Sequence, residues 1–180
     1  VSALDRHAAW LGLICFTLQI FFDFSGYSDM AIGMGRMLGF RLLENFRDPY
    51  LATSFTDFWR RWHISLSSWI KEYLYIPLGG SRVSTARSYA NLCLCFLLSG
   101  LWHGASWNFV TWGAIHGIAL VADRAFWLKA SQKLPVWFNR MLTLFLVALS
   151  WVFFRCETFG LAMQYLAALF GTPASTHHDV

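Results

Sequence analysis

Gly100-Leu101-Trp102-His103-Gly104-Ala105-Ser106-Trp107 lies inside Ser88 to Ala122, 35 residues without an Asp, Glu, Lys or Arg. One continuous helix of that length runs about 52 Å against a hydrocarbon core of about 30 Å. Two complete crossings need about 40 residues. The length therefore predicts a broken or re-entrant segment, interrupted near Gly100 to Ser106. Non-helical backbone at that depth is tolerated only where protein or a watery cavity surrounds it. His103 falls at the interruption. An ionisable ring in such surroundings marks a pathway or reaction site more often than it decorates a helix, so His103 is the first candidate for chemistry.

The rest of the composition agrees with a lipid setting. Of 180 residues, 57% are hydrophobic and 13% charged, with 10 Trp and 17 Phe, whereas a soluble domain is about 25% charged. The expected class is all-α: a polytopic membrane helical bundle, read as a single membrane domain over residues 1–180, with membrane lipids as its surroundings. The net charge of +4 comes from 14 basic and 10 acidic residues. These sit in loops between apolar runs and report on topology, so no nucleic-acid partner is expected. Arg36, Arg41, Arg47, Arg60, Arg61, Lys71, Arg82 and Arg87 outnumber Glu44, Asp48, Asp57 and Glu72, which puts this region on the cytoplasmic side. Val1 is not a start methionine, and the chain reads as a piece of a longer protein. Ala8 to Phe22 has the length of a signal-peptide core, but no small-residue cleavage site follows. Cys15, Cys93, Cys95 and Cys156 lie in apolar runs without a Cys-x-x-Cys spacing and read as buried thiols.

Working outward toward the amino terminus, Ser54 suits a helix N-cap, with Asp57 three residues on as an acidic variant of the capping box. Phe55, Phe58, Trp59, Trp62, Leu66, Trp69, Ile70 and Tyr73 fall within roughly 120° of one another at helical spacing, while Arg60, Arg61, Lys71 and Glu72 fall outside. The pattern predicts one amphipathic helix, too charged to span and lying in the interface, with His63 at the edge of its apolar arc. It stops at Pro77, and Leu78-Gly79-Gly80-Ser81-Arg82 is a tight turn. Asn45 to Thr53 is a short connection. Residues 8–22 read as a spanning helix that continues through Asp23-Phe24-Ser25-Gly26-Tyr27-Ser28-Asp29-Met30 toward Leu43. Asp23 and Asp29 lie about 240° apart on it, so they form no paired-carboxylate site; bonds to neighbouring helices or to Arg36 and Arg41 are expected instead. Gly26, Gly33, Gly35 and Gly39 offer small surfaces for close helix packing.

Toward the carboxyl terminus, His116 lies about 220° round from His103 on an unbroken helix and reads as a packed residue bonded to a carbonyl. Met141 to Phe154 is another apolar segment, ending at Arg155, a snorkelling anchor. Leu161 to Gly171 is apolar but too short to span. No His-x-x-x-His or His-Glu-x-x-His spacing occurs, and no metal site is expected; His177-His178-Asp179 has ligand chemistry, but a chain end is the plainer account.

Six stretches together resemble the membrane-bound O-acyltransferase family, in particular its bacterial branch containing the alginate O-acetyltransferase membrane subunit. They are Asp23-Phe24-Ser25-Gly26-Tyr27-Ser28-Asp29-Met30-Ala31-Ile32-Gly33, Asn45-Phe46 with Pro49-Tyr50, and Asp57-Phe58-Trp59-Arg60-Arg61-Trp62-His63-Ile64-Ser65-Leu66. The others are Tyr75-Ile76-Pro77-Leu78-Gly79-Gly80, Leu101-Trp102-His103-Gly104-Ala105 and Trp151-Val152-Phe153-Phe154-Arg155. The resemblance implies a multi-pass enzyme of the bacterial inner membrane, of which this chain is part of the core. It implies acyl transfer, usually of acetyl, from a cytoplasmic thioester toward hydroxyls of an exopolysaccharide, with a periplasmic acetyltransferase partner. The family's essential histidine matches His103, and its second motif residue matches His63.

The residue chemistry fits. Acyl transfer from a thioester to a hydroxyl needs a base, and a neutral imidazole, with an ordinary pKa of about 6.5, suits that task. Burial disfavours the charged ring. In this reading His103 is the general base, Trp102 and Trp107 wall the site against water, and His63 orients a reactant or polarises the thioester. Arg60, Arg61 and Lys71 attract a phosphate-rich donor such as acetyl coenzyme A or another acyl thioester, although a solvated or lipid-contacting face explains them equally well. No bound cofactor is expected. Two other classes stay open: a membrane transporter or channel with His103 lining the path, and an intramembrane serine protease using Ser99 or Ser106 with His116, which lacks a Gly-x-Ser-x-Gly elbow.

Overall fold

The computed structural model describes residues 5–171, so His177-His178-Asp179 lies outside the described residues. Eight α-helices occur among them and no strand: α1 Arg6–Met37, α2 Phe55–Trp59, α3 Ile64–Ile70, α4 Thr85–His103, α5 Trp107–Ala122, α6 Leu128–Ala130, α7 Val136–Arg155 and α8 Phe159–Leu169. Two of them, α1 and α7, are long and apolar enough to cross a membrane.

Helix α1 runs unbroken through the polar Asp23–Asp29 stretch, started by Asp5, whose carboxylate accepts the Ala8 amide at 2.8 Å. It buries Ala9, Leu13 and Thr17, one per turn. Tyr165 of α8 donates to the Ala9 carbonyl at 2.7 Å, and the Trp10 indole donates to the Leu169 carbonyl at 3.0 Å. The Arg155 guanidinium at the end of α7 lies 5.9 Å from the Phe16 ring centre. Asp23 and Asp29 are exposed, and neither carboxylate has a partner among the described residues. That corrects the expectation that they bond to neighbouring helices or to Arg36 and Arg41.

Gly26, Gly33 and Gly39 are also not where close packing occurs. A Cβ on Gly26, Gly33 or Gly39 would meet nothing within 4 Å, and one on Gly35 would meet the Leu42 side chain at 2.8 Å and the Phe40 carbonyl oxygen at 3.9 Å, both in the chain just after α1. The tight approach is between α4 and α5. There a Cβ on Gly100 would sit 2.2 Å from the Phe109 carbonyl oxygen and one on Gly113 2.3 Å from that of Phe96. Backbone cannot step aside as a side chain can, so the α4–α5 hairpin depends on hydrogen at these positions. The turn joining the two helices, Gly104 to Ser106, falls inside the stretch where chain length requires an interruption.

The amphipathic segment after Ser54 is not one helix. It divides into α2 and α3, with a wider π turn over Lys71–Tyr75. The break at Arg60 to His63 allows Phe55, Phe58, Trp59 and Trp62 to enter the core while Trp69 and Tyr73 stay outside. A straight helix would hold all of them on one surface. The core itself is an aromatic cluster in which Phe58, Trp112 and Trp151 are almost fully buried alongside Val147 and Val152.

Candidate functional site

His63 is placed by a dense set of local bonds. Ser54 Oγ caps α2 by accepting the Asp57 amide at 3.1 Å. The Asp57 carboxylate accepts the Thr53 amide at 3.1 Å and Arg61 Nε at 2.8 Å, which fixes both ends of the short helix. Asn45 Oδ1 then accepts the Ser65 amide at 3.1 Å and the Ser65 hydroxyl at 2.7 Å, and its carbonyl accepts the Ile64 amide at 3.1 Å. Between these anchors His63 adopts φ 44°, ψ 55°, the left-handed region. Such a conformation costs a non-glycine residue on the order of 1 kcal/mol or more, and it persists only where the surroundings impose it.

The ring of His63 meets Phe24 edge-on at 4.7 Å. It lines a cavity of about 560 Å³ together with Leu66, Trp69 and Ile70 of α3 and Leu98, Ser99 and Trp102 of α4. Burial pushes the His63 imidazole down to about 4, and the nearby charge of His103 pushes it the same way. His103, forty positions on in sequence, is thus close enough in the fold to contribute to the His63 shift.

His103 is the last residue of α4. Its ring contacts Trp102 at 4.9 Å, Phe154 at 5.1 Å, Trp112 at 5.3 Å and Phe109 at 6.3 Å. Neither ring nitrogen has a hydrogen-bond partner among the described residues, in contrast to His116.

The positions of the other candidates differ from expectation. Trp102 touches His103, but Trp107 is 77% exposed and makes no ring contact with it. The aromatic wall is completed by Phe109, Trp112 and Phe154 instead. Arg61 is committed to Asp57 and to the Arg47 carbonyl at 3.3 Å, whereas Arg60 and Lys71 are exposed cations. His116 is fully buried and bonds to no carbonyl. It accepts the Trp59 indole N–H on Nδ1 at 3.1 Å and meets Ser150 Oγ through Nε2 at 3.0 Å, while Ser150 donates to the Val147 carbonyl at 2.6 Å. These partners leave His116 no bond to Ser99 or Ser106, which removes the protease reading.

Asn45, Trp112 and Phe154 are site residues that helical spacing does not single out. Asn45 and Phe154 do fall within the quoted stretches Asn45-Phe46 and Trp151-Val152-Phe153-Phe154-Arg155. Trp112 lies nine positions beyond His103, across the hairpin turn, where no periodicity points to it. Among the described residues no three His, Cys, Asp or Glu side chains converge. What the arrangement offers chemically is imidazole in an aromatic, largely apolar setting.

The model of the membrane-bound O-acyltransferase family (MBOAT) matches residues 7–164. The chain is 52% identical over 162 residues to the "Probable alginate O-acetylase" of Azotobacter vinelandii, covering 90% of this chain and 32% of the relative. It is 47% identical over 174 residues to the peptidoglycan O-acetyltransferase of Helicobacter pylori, covering 94% and 33%. To the teichoic acid D-alanyltransferase of Bacillus subtilis it is 29% identical over 172 residues, covering 91% and 41%. The chain spans about a third of the length of the first two relatives.

Proposed function

The chain belongs to the membrane-bound O-acyltransferase family, and we propose on that premise that it forms part of the catalytic core of a multi-pass inner-membrane O-acetyltransferase. The enzyme moves an acetyl group from a cytoplasmic thioester, acetyl coenzyme A or another acyl thioester, toward hydroxyls of an exported polysaccharide. A periplasmic acetyltransferase partner completes the transfer. Support for the acetyl group and the polymer comes from relatives named for alginate and peptidoglycan acetylation.

The observation that carries the reading is the open-nitrogen imidazole of His103 at the end of α4, next to Trp102 and one turn from Ser99, two residues that line the apolar cavity together with His63. His103, with both ring nitrogens uncommitted, takes the proton of the attacking hydroxyl. His63, neutral at cytoplasmic pH, orients the donor from the other wall. Leu66, Ile70, Leu98 and Trp102 give the thioester an apolar wall, and Trp112 and Phe154 give one to His103, which limits hydrolysis. Arg60 and Lys71, exposed near the same helix, draw in the phosphates of the donor. The excess of basic residues between 36 and 87 sets this end toward the cytoplasm.

Mass spectrometry of the exported polymer from cells with and without the full-length protein tests this. Acetyl esters present only with the protein support it. A channel or transporter would instead move polymer or substrate with its acetylation unchanged, and that outcome contradicts the proposal.

A further inference from the structure

Ser99 stands one helical turn before His103 on α4, on the same face of the helix. It is 3% exposed, it lines the cavity shared with His63 and Trp102, and its Oγ has no hydrogen-bond partner among the described residues. A serine inside a helix ordinarily returns its hydroxyl to a carbonyl one turn back. This chain does so elsewhere: Thr17 donates to the Leu13 carbonyl at 2.8 Å and Ser150 to the Val147 carbonyl at 2.6 Å. A buried hydroxyl left without a partner lowers stability, so its presence calls for a ligand that completes it. Of the other walls, Leu66, Ile70 and Leu98 supply apolar surface, Trp69 and Trp102 two indoles, and the Ser65 hydroxyl is already committed to Asn45.

We propose that Ser99 is a catalytic residue that donates its O–H to the carbonyl oxygen of the acyl thioester held in this cavity. The assignment rests on the acyltransferase reading above. In the reaction the acceptor hydroxyl oxygen attacks the thioester carbonyl carbon while His103 takes its proton. The carbonyl electron pair moves onto oxygen, where the Ser99 hydroxyl stabilises the developing negative charge. Collapse re-forms the carbonyl, breaks the C–S bond, and returns the proton from His103 to the departing thiolate. Ser99 keeps its own proton throughout and forms no covalent bond. In a low-dielectric site a preorganised donor of this kind acts mainly in the transition state, so its loss lowers kcat and leaves the donor KM unchanged.

The test compares Ser99→Ala, Ser99→Thr and His103→Ala in the full-length membrane protein, with acetyl coenzyme A as the donor and membrane level and thermal unfolding measured in parallel. Expected for Ser99→Ala is a loss of kcat of about 100-fold with KM as in the wild type and an unfolding temperature at or above the wild-type value. Ser99→Thr, which retains the hydroxyl, recovers most of that rate. If Ser99→Ala does not accumulate, Ser99→Cys, a weaker donor, takes its place, with kcat below the wild type and a donor KM that does not move. Wild-type kcat in Ser99→Ala or Ser99→Cys, or Ser99→Thr as slow as Ser99→Ala, overturns the assignment. Full activity in His103→Ala overturns the acyltransferase reading itself, so the two failures are distinct.

Discussion

Trp59 of α2 donates its indole N–H to Nδ1 of His116 on α5 across 3.1 Å, in the centre of the core. Because Nδ1 accepts, the proton of the neutral ring sits on Nε2, which donates to Ser150 on α7 at 3.0 Å. Three helices are thereby joined by one imidazole whose tautomer is set by its partners. This explains why His116 belongs to the framework, and it separates it from His103, whose nitrogens are left open.

Replacing His116 with Phe keeps an aromatic ring but leaves the buried Trp59 N–H without an acceptor. The expected loss is about 1–3 kcal/mol, read as a lowered unfolding temperature of the full-length protein in detergent. His116→Gln, which keeps a side-chain acceptor, recovers part of it. Equal unfolding temperatures for His116→Phe and the wild type would show that the bond contributes nothing.

Gly113→Ala and Gly100→Ala are expected to destabilise by about 1–3 kcal/mol, the usual cost of overpacking, because the new Cβ meets carbonyl oxygens at 2.3 and 2.2 Å. Gly26→Ala, with open space around it, is expected to be neutral or to stabilise by a few tenths of a kcal/mol through helix propensity. Thermal unfolding of the three variants side by side checks the order.

The lowered pKa of His63, about 4 when folded against 6.5 unfolded, has a signed consequence. Above pH 6.5 the ring is neutral in both states and the full stability is present. Between 6.5 and 4 the unfolded chain takes up a proton that the folded one refuses, so stability falls as pH falls, and the loss is complete below about 4. His63→Asn tolerates the left-handed backbone but does not titrate. It should show a shallower decline in unfolding temperature from pH 7 to pH 4, and an unchanged decline would assign the acid sensitivity elsewhere.

Arg60→Ala combined with Lys71→Ala is expected to raise the KM for a phosphate-bearing donor several-fold at low salt, with the difference shrinking as salt screens the charges. Arg61→Ala, which removes the 2.8 Å pair with Asp57, should instead lower the unfolding temperature. A salt-independent KM in the double variant would place these two cations on a merely solvated face.

The hairpin and the site differ in how far they could be read from the chain. The turn at Gly104 to Ser106 was legible because it follows from length alone: a charge-free run too long for one crossing and too short for two has to break. His103 was legible for the same reason, as the ionisable residue at that break. The division of α2 from α3 was not, because apolar periodicity continues across Arg60 to His63 and the break is imposed by Asn45, a residue twenty positions from Ser65. The contacts of His103 with Trp112 and Phe154 depend on how α4, α5 and α7 pack, which helical spacing within one segment does not encode. Gly26 and Gly33 misled because glycine in an apolar helix marks a place where a neighbour can approach closely, not one where it does.

The most direct measurement is the rate of acetyl transfer by the full-length protein carrying His103→Ala, in membranes where its level and insertion match the wild type. Loss of the general base should lower the rate by about 100-fold or more while the unfolding temperature stays close to the wild-type value. Transfer at the wild-type rate would contradict the assignment of His103 as the base.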